Sequence, residues 1–120
     1  MTTTPTKKLK ESNFGFIHYS SNLYNYLEKD SKLLFEVYSI LENKYFCADW
    51  GIVESDSIKT NNHTIKNQNG GGLLGVYLLS TGRKIWIMTV GYGLTEDKMD
   101  LKNYTRMDYN NTCIMFPEDY

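Results

Sequence analysis

Residues that could do chemistry are few in this chain, and they are scattered. Asp49-Trp50-Gly51 joins a carboxylate, a large aromatic and a residue free to take positive φ in three consecutive positions, where a helical pattern ends. Glu54, Asp56, Glu118 and Asp119 supply further carboxylates, and a converging pair of them would suit general acid–base work. The bland alternative is that they cap helices and keep the surface in solution, as Asp49 would by bonding the backbone of its own turn. A pocket formed by Asp49, Trp50 and Asn62, with Glu118 nearby, is the form an active or ligand-binding site would take. His18 and His63 have no neighbour at i+4 and no cysteine at metal spacing, so no metal site is expected. Pairing Cys47 or Cys113 with His63 would make a nucleophilic dyad, but no local signature supports one. Gly70-Gly71-Gly72-Leu73-Leu74-Gly75 matches G-x-G-x-x-G by letter. A dinucleotide loop needs a strand before it and a helix after it; here a polar segment precedes and a strand follows, so a nucleotide cofactor is not expected. Asp49-Trp50-Gly51 is no kinase Asp-Phe-Gly either, because it precedes the glycine loop and no catalytic loop accompanies it. No cofactor is expected and no catalytic residue is assigned.

These residues must be held by elements that the hydrophobic pattern sets out. Ser20 or Ser21 caps a short helix over Asn22–Glu28, with Leu23 and Leu27 on one face. Asp30 or Ser31 caps the next helix, where Leu33, Leu34, Val37, Ile40 and Leu41 form an apolar stripe widened by Phe35 and Tyr38. Ser55–Asn67 reads as a polar surface helix with only Ile58 and Ile65 apolar, seven apart. From Leu73 the period becomes two: Leu74, Val76 and Leu78 point one way, and Leu73, Tyr77 and Leu79 the other. Ser80-Thr81-Gly82 turns a hairpin into a return strand, Lys84–Val90, with Ile85 and Ile87 on one face and Trp86 and Met88 on the other. Thr112–Phe116 is a third strand, stopped by Pro117. Phe14, Phe16 and Ile17 form a strand or a packing anchor. Trp86 is expected in the core, and Trp50 is divided between core and contact. The expected fold is α+β: two or three short helices on a three-stranded antiparallel sheet, with one face on helices and the other partly covered.

The chain has 120 residues, 41% hydrophobic and 14% aromatic, with a formal net charge of −1. This suits one globular domain able to bury a core without metal or disulfide. Residues 1–12, with Lys7, Lys8 and Lys10, read as a flexible arm and 13–120 as the α+β domain, with 91–111 an inserted segment. Near-neutral charge, with Lys59, Lys66, Arg83 and Lys84 interleaved among acids, argues against direct nucleic-acid binding. No apolar run reaches membrane-spanning length, and a cytoplasmic protein with two free thiols is the simplest reading; a single disulfide is the alternative. In the insert, Thr95-Glu96-Asp97 caps a helix to about Asn103. Its mix of aromatic and acidic residues suits a contact surface: Tyr92, Glu96, Asp97, Asp100, Tyr104 and Tyr109, joined by Glu118 and Asp119.

The ordered set Asp49-Trp50-Gly51, Asp56, Asn62, Trp86-Ile87-x-Thr89, Thr112 and Phe116-Pro117-Glu118-Asp119-Tyr120 resembles a group of small bacterial proteins of plasmids, phages and other mobile elements. Their outline has a Gly-Asp-Trp-Gly turn, a Trp-Ile strand and a closing Pro-Glu-(Glu/Asp)-Tyr. The resemblance covers roughly residues 46–120. Ala48 stands where glycine is usual, and the insert replaces an Asp-Arg segment. What the resemblance implies is context: a mobile-element accessory protein. In that context the leading function is non-enzymatic, binding and inhibiting a host protein, most sharply a defence nuclease of the CRISPR or restriction type. Acidic side chains of the insert could then compete for a basic nucleic-acid groove. A small enzyme or ligand-binding protein is the alternative, and a homodimer through the edge strand Leu73–Leu79 is a third reading.

Overall fold

The computed structural model describes residues 8–68, 70–94 and 109–120. Three helices, α1 (Ser21–Leu27), α2 (Ser31–Asn43) and α3 (Ser55–Asn67), accompany a four-stranded sheet of β1 (Phe16–Tyr19), β2 (Leu73–Leu78), β3 (Lys84–Val90) and β4 (Asn111–Met115). The strand order is β1-β4-β3-β2. β2–β3 and β3–β4 are antiparallel, whereas β1 lies parallel to β4 with Ile17 opposite Thr112. The α+β class therefore holds, but the sheet is mixed and has four strands, not three antiparallel ones. Phe16 and Ile17 are strand residues, and their partner lies almost the whole chain away.

The helix starts follow local chemistry. The Ser20 hydroxyl accepts from Leu23 N, and Asp30 Oδ1 accepts from Lys32 N and Leu33 N at 3.0 and 3.2 Å. α2 sends Leu33, Val37, Ile40 and Leu41 into the core and leaves Leu34, Phe35 and Tyr38 outside. Ile85, Ile87 and Thr89 of β3 and Thr112 and Ile114 of β4 face the same core, with Leu23, Leu27, Tyr45 and Phe46 among its members. The opposite sheet face carries Trp86, Met88 and Cys113, all only partly covered. Lys8–Ser12, the described part of the expected arm, is tied down: Leu9 N donates to Phe46 O at 2.7 Å, and Lys8 pairs with Glu42 and Glu11.

Two polar chains run through the interior. Thr112 Oγ1 donates to Phe14 O at 2.8 Å, so it must accept from Thr89 Oγ1 at 2.7 Å. Thr89 in turn accepts from the Tyr45 hydroxyl at 2.6 Å, whose ionisation burial pushes far out of reach. Asn110, fully buried, donates through Nδ2 to Asn13 O and Gly91 O at 2.9 and 2.8 Å. This second chain pins the base from which the 91–111 segment departs.

The two sheet edges are treated differently. Backbone groups of β2 that point away from β3 are occupied at Leu74 and Val76, as is the carbonyl of Gly72 just before it. Gly72 O accepts from Thr64 Oγ1 at 2.9 Å. Leu74 N and O bond the side chain of Asn61 at 3.1 and 2.8 Å. Val76 N and O bond Trp50 O and Ile52 N at 2.9 and 2.8 Å, a parallel bridge centred on Gly51. Most of the edge that the sequence offered for homodimer pairing is thus already closed, over Leu74–Val76, by α3 and by the Asp49-Trp50-Gly51 turn. β1 forms the other edge.

Candidate functional site

Asp49-Trp50-Gly51 is a structural clamp. Ala48 enters it in the left-handed region, φ 61°, which explains why glycine would suit that position. Asp49 Oδ1 accepts from Gly51 N at 3.1 Å, and its carbonyl accepts from the Tyr77 hydroxyl at 2.7 Å. Gly51 lies at φ 73°, and a Cβ there would stand 1.9 Å from Val76 O, so the turn can press on β2 only as glycine. Trp50 is buried and meets Tyr45 edge-on at 5.5 Å between ring centres. Its Nε1 has no hydrogen-bond partner among the described residues.

The expected pocket does not assemble. Asp49 is exposed with its carboxylate turned to its own backbone, Trp50 is in the core, and Asn62 is exposed on α3. None of the three lines the principal grooves of the described residues. The polar residue that α3 does bury is the neighbour, Asn61. Glu118 sits elsewhere, paired with Arg83 at 3.2 Å. Arg83 also stacks on Phe116 at 3.8 Å, which removes it from a free basic surface.

The expected contact residues separate too. Tyr92 is 1% exposed, packs edge-on against Phe14 and bonds Gly70 and Gly71 through its backbone, so it is core and not contact surface. Asp119 is an internal tie: it accepts from Ser20 Oγ and Asn22 Nδ2, both at 2.7 Å, and from Phe116 N at 3.2 Å. Those donors hold its carboxyl below the usual carboxylate range. Tyr109 is half-buried at the base of the insert. Glu96, Asp97, Asp100 and Tyr104, with the helix expected up to Asn103, lie outside the described residues.

What does converge is the set of motifs. Ile52, Val53 and Glu54, directly after the turn, meet Lys84 and Trp86 of β3 and Pro117 around a groove of about 360 Å³ on the outer sheet face. Tyr120 extends it, its ring 5.8 Å from that of Trp86. Trp86, expected in the core, is half-covered here, while Trp50 takes the core place. Ile52, Leu78 and Tyr120 are exposed, and Glu54 and Lys84 bring charge of both signs to this side. An apolar patch with a charged rim suits a protein contact. Both cysteines are free, and among the described residues no group of His, Cys, Asp and Glu could hold a metal.

A second, larger groove of about 730 Å³ lies on the other side, between α1, α2 and β1. Tyr19, Tyr24, Leu34, Phe35 and Tyr38 line it. Its signal was present in the excess width of the α2 stripe: Leu34, Phe35 and Tyr38 cannot reach the core that Leu33, Val37 and Leu41 fill. No helix among the described residues is long and apolar enough to cross a membrane. No protein-family model, curated protein or solved structure matches this chain.

Proposed function

We propose that this chain is a non-enzymatic binding protein that docks a host protein on its Ile52–Trp86–Tyr120 face. The observation that carries this reading is the meeting of three separate sequence motifs on one face: the residues leaving the Asp49-Trp50-Gly51 turn, the Trp-Ile strand and the closing Pro-Glu-Asp-Tyr. Asp49 and Asp119, from two of these motifs, spend their carboxylates on backbone and neighbouring side chains, which leaves the aromatic and aliphatic surface to do the binding. The resemblance to mobile-element proteins supports a finer reading, in which the bound protein is a defence nuclease and binding inhibits it. The ligand-pocket alternative has less support, because Asp49, Trp50, Asn62 and Glu118 do not share a cavity.

The test is a protection assay in cells that carry an active CRISPR or restriction system. Expression of the wild-type chain should raise phage plating or plasmid uptake at least tenfold. Ile52→Asp with Tyr120→Ala, both at exposed positions, should abolish the gain while the circular dichroism spectrum stays unchanged. Full protection by the double variant would remove this face from the function, and no protection by the wild type across several systems would remove the nuclease reading.

A further inference from the structure

The two edges of the sheet point to a further property, self-association. In a parallel pair, successive residues turn their N–H and C=O alternately toward and away from the partner strand. Ser20 N donates to Ile114 O at 2.9 Å, which fixes the parity: Phe16, His18 and Ser20 face β4, and Ile17 and Tyr19 face outward. The outward N–H and C=O of Ile17 and Tyr19 have no partner among the described residues, in contrast to the occupied edge of β2. An edge left open in this way is a template for another strand.

Beside that edge lies the larger aromatic groove, sharing Tyr19 with it. Ile17, Tyr24, Leu34, Phe35 and Tyr38 leave between 39% and 70% of their surface open. Taking about 200 Å² for a whole aromatic side chain, these five expose on the order of 500 Å². Two copies would bring together roughly 1,000 Å², the area at which a specific interface begins. Because the outward groups of β2 at Leu74 and Val76 are already bonded, head-to-tail stacking of β1 along β2 is blocked. A second copy can add to β1 only through its own β1, and that contact is isologous and closes at two.

We propose that the chain forms a two-fold dimer by antiparallel pairing of β1 with β1 of a second copy, the α1–α2 aromatic grooves closing on one another. The parity sets the register. Ile17 of each copy exchanges both backbone hydrogen bonds with Tyr19 of the other, four bonds in all, and the axis passes through His18. The result is one continuous eight-stranded sheet with both Ile52–Trp86–Tyr120 faces on the same side.

The axis at His18 gives a test specific to register. The two His18 residues form a non-hydrogen-bonded pair, whose Cα atoms lie about 4.5 Å apart, within disulfide range. In a Cys47→Ser, Cys113→Ser background, His18→Cys should form a covalent dimer under mild oxidation, and Phe16→Cys, two residues off the axis, should not. Sedimentation of the wild type should give a species of twice the 14.0 kDa chain mass. Phe35→Lys with Tyr38→Lys, both at exposed positions, should raise the dissociation constant at least 100-fold without altering the circular dichroism spectrum. A wild type that stays monomeric at 200 µM overturns the proposal. So does cross-linking of Phe16→Cys as efficient as that of His18→Cys, or a dimer that the double lysine variant leaves unchanged.

Discussion

Replacing Asn61 by alanine should cost this protein about 2–3 kcal/mol of folding stability, whereas replacing its neighbour Asn62 should cost less than about 0.5 kcal/mol. Asn61 is 2% exposed and mimics a strand: its Nδ2 donates to Leu74 O at 2.8 Å, and its Oδ1 accepts from Leu74 N at 3.1 Å. Each such bond contributes roughly 1 kcal/mol net, and a buried donor or acceptor stranded by its loss costs about 1–3 kcal/mol. Leu74 is half-buried, so water relieves part of that penalty. Urea denaturation followed by circular dichroism at 25 °C measures the difference. Asn61→Asp refines the argument. Its carboxylate can still accept from Leu74 N, but its second oxygen meets Leu74 O with no proton between them. Only the neutral acid restores the donor, so folding raises the pKa of this aspartate above its unfolded value of about 3.9. The variant's deficit relative to wild type is then full at pH 7 and shrinks as pH falls through that raised pKa. Equal costs for Asn61→Ala and Asn62→Ala, or an Asn61→Asp deficit that ignores pH, would refute the edge-closing role.

Two further expectations come from the interior and from the C-terminal tie. Thr89→Val should destabilise by about 1–3 kcal/mol, because it strands the Tyr45 hydroxyl and deprives Thr112 of its donor; thermal melts of the purified variant measure it. The Asp119 carboxyl, held by Ser20, Asn22 and Phe116, should titrate below 3.8, visible in the pH dependence of its side-chain carbon shift. The stability it contributes is present above the unfolded pKa and is lost as pH falls through the depressed folded value, so Asp119→Asn should flatten that acid limb.

Elements governed by near neighbours were legible in the sequence. Ser20 and Asp30 mark their helices by capping, and the period of two with Ser80-Thr81-Gly82 marks the β2–β3 hairpin. β1 was ambiguous because four residues give no periodicity, and both Phe16 and Ile17 remain exposed. Its parallel partner could not be read at all, since nothing local ties residue 17 to residue 112. The site suffered the same limit. Ile58 and Ile65 suggested a face of α3, but the buried polar face runs through Asn61 and Thr64, chosen by the unpaired backbone of β2 and not by hydrophobicity. Trp86, expected in the core, is only half-covered, and Trp50, divided between core and contact, is core, because both faces of β3 are apolar and only the path of the helices decides which becomes core. Tyr92 looked like surface beside acidic residues until Phe14, from the other end of the chain, covered it.

The side-by-side placement of β1 and β4 also dictates an order of folding. β2 and β3 need only a short turn to meet, whereas joining Ile17 to Thr112 closes a loop of 95 residues. By loop-closure entropy that step costs about 4 kcal/mol before any contact rewards it. The hairpin is therefore the element that forms early, and β4 must dock on it before β1 has anything to pair with. During synthesis β1 leaves the ribosome first of the strands and waits longest, with even its inner edge, the one β4 will cover, bare until residue 115 has emerged. Chaperone capture and proteolysis of the nascent chain should therefore concentrate on Phe16–Tyr19, and a completed sheet should end both at once.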